Sequence, residues 1–169
     1  MKIRIGRAGV EWLARQTKAV IKRFLARMTA RQLLRFDSEF ECWAQDGQRP
    51  PKGEGWRTWL LMAGRGFGKT RAGAEWVHGL ARRAPGVRIA LVGATLAEAR
   101  SVMIEGPSGL IAVAANDGVR LNWEPSLGRL GWPGGGSAQT FSGDHADGLR
   151  GAEHHYAWGV GAARPAGRR

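Results

Sequence analysis

Residues Trp56–Val77 read WRTWLLMAGRGFGKTRAGAEWV. Trp56 to Ala63 form a short apolar run of strand length. Gly64, Gly66 and Gly68 then crowd three glycines into five residues, and from Lys69 onward Trp76, Val77 and Leu80 recur at helical spacing. Strand, glycine turn and helix is the setting in which a phosphate-binding loop is built. Glycines let backbone N–H groups turn inward around a phosphate, because only they adopt the required dihedrals without a Cβ clash. The helix that starts near Lys69 adds its positive end. In such a loop Lys69 reaches the β- and γ-phosphates of a nucleotide and the Thr70 hydroxyl coordinates Mg²⁺, with Gly64, Arg65, Gly66, Phe67, Gly68 and Arg71 completing the ATP-binding set. One position departs from the usual pattern. The residue six before the lysine is normally glycine and here is Ala63, which fits only with a negative φ. The competing reading is a glycine-rich turn that binds nothing; the strand before it, the helix after it and the Gly-Lys-Thr ending weigh against that.

Working outward, Val87–Ala94 (VRIALVGA) is a β-rich apolar run after an Ala-Pro-Gly turn, and Thr95 with Glu98 three residues on has the spacing of a capping box. Strand, helix, strand, helix predicts an α/β fold of the P-loop NTPase type, a parallel sheet flanked by helices. Leu121–Trp123, Leu130–Trp132 and Ala138–Ser142 have the look of short strands around a turn at Pro133–Gly136, and are expected to form an antiparallel insertion. Upstream, Val10, Leu13, Val20, Ile21, Phe24, Leu25 and Met28 recur at three- and four-residue steps among Arg15, Lys18, Lys22, Arg23 and Arg27, a basic amphipathic helix. Such a helix docks on a membrane, a partner or DNA, or packs on its own domain. A second helical stretch, Ala30–Ala44, precedes a loop over Gln48–Gly55 with two prolines.

The chain has 169 residues and a net charge of +12, concentrated at the ends: residues 1–31 hold nine Lys or Arg against Glu11 alone, and residues 159–169 hold three Arg and no acid. The interior is nearly neutral, so the basic ends are either polyanion contacts or solvated termini, and the total charge alone does not make the whole chain a nucleic-acid binder. Cys42 is the single cysteine, which excludes an intrachain disulfide and any cysteine-based metal cluster. No stretch approaches the ~20 apolar residues of a membrane span, so membranes are not expected as partners and a bacterial cytoplasmic location is.

Three runs together resemble a known family. Trp56–Val77, Val87–Leu110 (VRIALVGATLAEARSVMIEGPSGL) and Phe141–Trp158 (FSGDHADGLRGAEHHYAW) are similar to the ATPase domain of large terminase subunits, the DNA-packaging motors of tailed bacteriophages and gene transfer agents. The resemblance covers residues 33–158, behind a basic helical segment at 1–32. It implies ATP and Mg²⁺ as cofactors, and double-stranded DNA, a portal, a small terminase subunit and ring-forming copies as partners. Arg65 then matches a basic residue placed near the γ-phosphate as a finger or sensor acting in cis, the only catalytic candidate identified. Its bland alternative is a solvated side chain. Arg150, within Asp147–Gly151, is likewise either a phosphate contact or a surface residue.

The family's next strand ends in adjacent Asp and Glu, which organise magnesium and water. Here the chain reads His154-His155-Tyr156-Ala157-Trp158 and then GVGAARPAGRR, with no carboxylate after Glu153. Ten of the last eleven residues are Gly, Ala, Arg or Pro, a composition typical of GC-rich DNA read out of frame. The expectation is therefore an ATPase domain incomplete at its C-terminus, with a tail at 159–169 that is out of frame or disordered, impaired hydrolysis and no nuclease domain. Asp144, Asp147 or Glu153 substitutes for the missing acids only if the fold brings one of them to the γ-phosphate. His154 and His155, adjacent on a strand, are not expected to share a metal ion, and Trp59, Trp76 and Trp158 are expected in the core. A helicase-like ATPase or a small-molecule kinase using the same loop is the alternative function.

Overall fold

The computed structural model describes residues 7–53, 55–145, 148, 151 and 153–161. The chain divides into two compact units, Met1–Trp59 and Leu60–Arg169.

In the first unit the expected basic helix is two helices, α1 (Arg7–Ala14) and α2 (Lys18–Leu25). Thr17 causes the break: it takes an extended conformation and its hydroxyl accepts from the Val20 N–H, starting a new helix where the apolar periodicity runs on unbroken. Thr29 and Gln32 form a full capping box at the start of α3 (Ala30–Ser38). The expected second helix also divides, because Glu39 at ψ 99° interrupts it before α4 (Phe40–Trp43). α1 and α4 pack together, burying Leu13 and Cys42, and burial pushes the Cys42 thiol pKa up. Arg7 ties the ends of the unit together, donating to Glu11 at 2.8 Å and to Asp46 at 2.5 Å. α2 and α3 bury no residue.

The second unit is a mixed α/β layer structure. α5 (Lys69–Arg83) leads into β1 (Arg88–Gly93). After it come α6 (Leu96–Glu98), a π-helical segment (Ala99–Ile104) and α7 (Leu110–Asn116), then β2 (Asn122–Glu124), β3 (Arg129–Gly131), β4 (Ser137–Ser142) and β5 (Tyr156–Gly159). The sheet order is β2-β3-β4-β1-β5. β1 pairs in parallel with β4 on one side and β5 on the other, from Arg88↔Ser137 and from Ile89↔Tyr156. β2 with β3 and β3 with β4 are antiparallel. The sheet is thus mixed rather than wholly parallel: the expected antiparallel insertion is β2 and β3, while the third strand of that region belongs to both patterns. β1 is central because its run is apolar on consecutive positions, and Ile89, Ala90 and Leu91 are all buried. Ile89 and Leu91 share a core with Ala74, Val77 and Ala81 of α5, Met103 and Ile104, Leu110 and Val113 of α7, Leu130 and Trp158. Each fully buried Leu or Ile there contributes about 1.5–3 kcal/mol.

One expected strand is missing. Trp56–Ala63 takes no strand conformation, and Leu60 and Met62 are 73% and 84% exposed. Apolar composition supplies the propensity for a strand, but a strand exists only with a neighbour's hydrogen-bond ladder, and no described strand pairs with this segment. Trp59 is only partly buried, whereas Trp76 packs against the core and Trp158 is inside it.

Candidate functional site

The glycine loop gets its shape from two residues. Gly66 and Gly68 both sit at φ +83°, a left-handed conformation that side-chain-bearing residues rarely adopt, while Gly64 does not need it. Ala63 satisfies the condition its side chain imposes, since no non-glycine residue among those described has positive φ. Gly68 is the N-cap of α5 and offers no side chain to the first turn, so the helix begins with N–H groups directed out of its end. From that first turn Lys69 folds back, its Nζ donating to the carbonyls of Ala63 at 2.7 Å and Gly64 at 2.9 Å. The ammonium is thereby held across the mouth of the loop. Thr70 and Phe67 are half-buried and Arg65 is exposed. Arg71 turns along the helix and pairs with Glu75 at 2.6 Å.

The direction of α5 fixes which end of the sheet this loop occupies. Gly73 lies against Trp158, and further along the helix the Trp76 ring meets Tyr156 edge-on at 6.0 Å. Advancing along α5 therefore means retreating along β5. At its far end Ala81 lies against Gly136, just before β4 begins. The loop is placed beyond the carboxyl ends of the three parallel strands, the side on which ligands bind in open α/β sheets. The turns after β1 and β4 meet at that same end. Ser142 Oγ donates to the Ala94 carbonyl at 3.0 Å, and Gly143 and Asp144 donate backbone N–H groups to Gly93 and Ala94 at 2.8 and 3.3 Å. Thr95 caps α6 as its spacing predicts, but Glu98 reaches the Ala94 N–H, at 3.0 Å, instead of the capping residue's own.

The candidate acids separate. Glu153 lies at the opposite end of the sheet, where it accepts from Arg88, the first residue of β1, at 3.0 Å. Asp144 follows β4 at the loop's end and is exposed. Asp147 and Arg150 lie outside the described residues. The two histidines take separate contacts: His154 meets the Phe141 ring edge-on at 5.1 Å, and His155 Nδ1 accepts from the Arg88 N–H at 3.0 Å.

Two features escape the sequence reading. Gly73 is the first. A Cβ there would sit 2.2 Å from the Trp158 ring, so the glycine lets the loop's helix touch β5. A glycine in mid-helix, where it costs about 1 kcal/mol relative to alanine, is the signal that would have found it. The second is buried His78, whose Nδ1 accepts from Trp132 Nε1 at 3.0 Å and whose Nε2 lies 3.3 Å from Asp117, itself paired with Arg82. With Nδ1 accepting, the neutral ring carries its proton on Nε2, toward Asp117. Burial, reinforced by Arg82, holds the His78 pKa below its ordinary value, with Asp117 opposing. No sequence pattern announces this link between α5 and the β3–β4 turn.

Among the described residues no helix is long and apolar enough to cross a membrane, and no cluster of three or more His, Cys, Asp or Glu is arranged to hold a metal ion. The family model described as terminase large subunit, T4likevirus-type, N-terminal, matches residues 60–159, from just ahead of the glycine loop to the last residue of β5. Neither a curated protein nor a solved structure matches the chain.

Proposed function

The chain belongs to the N-terminal family of terminase large subunits, and from that premise we propose that its Gly64–Thr70 loop binds the triphosphate of ATP with Mg²⁺, as the nucleotide-binding part of a phage-type DNA-packaging motor. The observation that carries the reading is Lys69, folded across a loop shaped by two left-handed glycines at the start of an uncapped helix. The donor set fits a polyphosphate: backbone N–H groups at a helix N-terminus, an ammonium and a hydroxyl. In this reading the N–H groups of the Gly64–Gly68 loop and of Lys69 hold the β-phosphate, Lys69 leaves the Ala63 and Gly64 carbonyls for phosphate oxygens, and the Thr70 hydroxyl ligates the metal. A bound magnesium ion would neutralise phosphate charge. Arg65, exposed at the loop, is free to turn toward the γ-phosphate, while Arg71 borders the site and braces its helix through Glu75.

Hydrolysis by this chain is proposed to be slow. Glu153 is held at the wrong end of the sheet, which leaves Asp144 as the described carboxylate following a strand at the loop's end. Double-stranded DNA, a portal, a small subunit and ring-forming copies are proposed as partners from family membership alone. A titration of the purified chain with a fluorescent ATP analogue and magnesium tests the reading, with Lys69→Ala as control. Saturable binding weakened at least about tenfold by the substitution is expected. No binding by the folded chain, or binding indifferent to Lys69, overturns it.

A further inference from the structure

α2 and α3 each begin at a threonine cap, yet neither buries a residue. They flank a groove of about 520 Å³ lined by Ile21, Leu25, Ala26, Leu33 and the side chains of Lys18 and Lys22. The floor is aliphatic, and the two lysines contribute their stems to it while their ammonium groups stand at the rim. Among the described residues no ion pair engages Lys18 or Lys22, whereas Arg7, Arg35 and Arg49 of the same unit each have a carboxylate within reach. Arg15, Arg23, Arg27 and Arg31 add exposed positive charge to these helices and to the turns beside them.

We infer that this groove docks an acidic amphipathic helix of a partner protein. A concave apolar floor calls for a convex apolar ridge, which a helix supplies through side chains at i, i+3, i+4 and i+7. Flanking Asp or Glu on that helix answers Lys18 and Lys22. A phosphate backbone would set its charges against aliphatic groups. The inference concerns the first unit alone and does not depend on nucleotide binding at the glycine loop.

The test uses the full chain and a labelled peptide of about 14 residues, four turns long, with Leu at i, i+3, i+4 and i+7 and Glu on both flanks. Fluorescence anisotropy should show saturable binding that a scrambled peptide lacks. Lys18→Glu with Lys22→Glu, both exposed and so compatible with folding, should weaken it about tenfold or more, and a peptide with Lys in place of Glu should recover affinity for that double variant. Leu33→Asp should abolish binding of both peptides, with circular dichroism confirming that the variant keeps its helices. Equal affinity for designed and scrambled peptides, or no rescue by charge reversal, overturns the inference. So does peptide-insensitive binding of duplex DNA or phosphatidylglycerol vesicles through the same lysines, or a Leu33→Asp effect confined to self-association in sedimentation.

Discussion

Gly73 occupies a mid-helix position where alanine would ordinarily be the better residue by about 1 kcal/mol. Its contact with Trp158 reverses that preference. Gly73→Ala places a carbon 2.2 Å from a buried ring and should lower stability by about 1–3 kcal/mol in chemical denaturation. Combined with Trp158→Ala, the two losses should be markedly less than additive, since the second change removes the ring that the first strikes. His78 makes a prediction of the opposite kind, readable only against pH. The folded chain refuses a proton that the unfolded chain binds near the ordinary histidine pKa of 6.5, so stability is complete above that value and falls as the pH drops below it. Protonation would also turn Nδ1 into a donor facing the Trp132 N–H. The urea midpoint should decline between about pH 7.5 and about pH 5.5, and the decline should flatten in His78→Gln. An equally steep decline in that variant would show that other groups carry it.

At the scale of elements, the loop and its helix were legible because glycine spacing, the Lys-Thr pair and helical periodicity all fall within one short window. The structure adds that the glycines are unequal. Gly68→Ala forces a side chain into φ +83° and should cost about 1–2 kcal/mol. Gly64→Ala, with no neighbour within 4 Å of the added carbon and no positive φ, should change stability by under about 0.5 kcal/mol. Thermal melts of the two variants compare them directly. The central strand was equally legible, since Val87–Ala94 is apolar enough to be buried along its length. Trp56–Ala63 was misread because a strand depends on its neighbours, and composition cannot say whether a ladder is available. The split between α1 and α2 was missed for a local reason: Thr17 competes for the helix start inside a pattern that runs through it. His78 with Trp132 was invisible because the residues stand 54 positions apart and carry no motif.

For the whole molecule, the division at Trp59 and Leu60 gives residues 51–58, the last stretch of the first unit before it, a particular role. Lys52 and Arg57 are exposed there, outside any helix or strand, so brief trypsin digestion should cut first at these two residues and leave the sheet-bearing unit intact. First cuts within α5 would argue against that division. The first unit carries the basic helices α1 and α2, while the second carries the glycine loop and the strands that the family match covers. Lys69 holds a consequence for this second unit. Its ammonium grips two carbonyls at the start of the loop, so it acts as a latch on the loop's shape. Losing the side chain should therefore quicken amide hydrogen exchange across residues 63–68, because the two carbonyls lose the clasp that ties the start of the loop to the first turn of its helix.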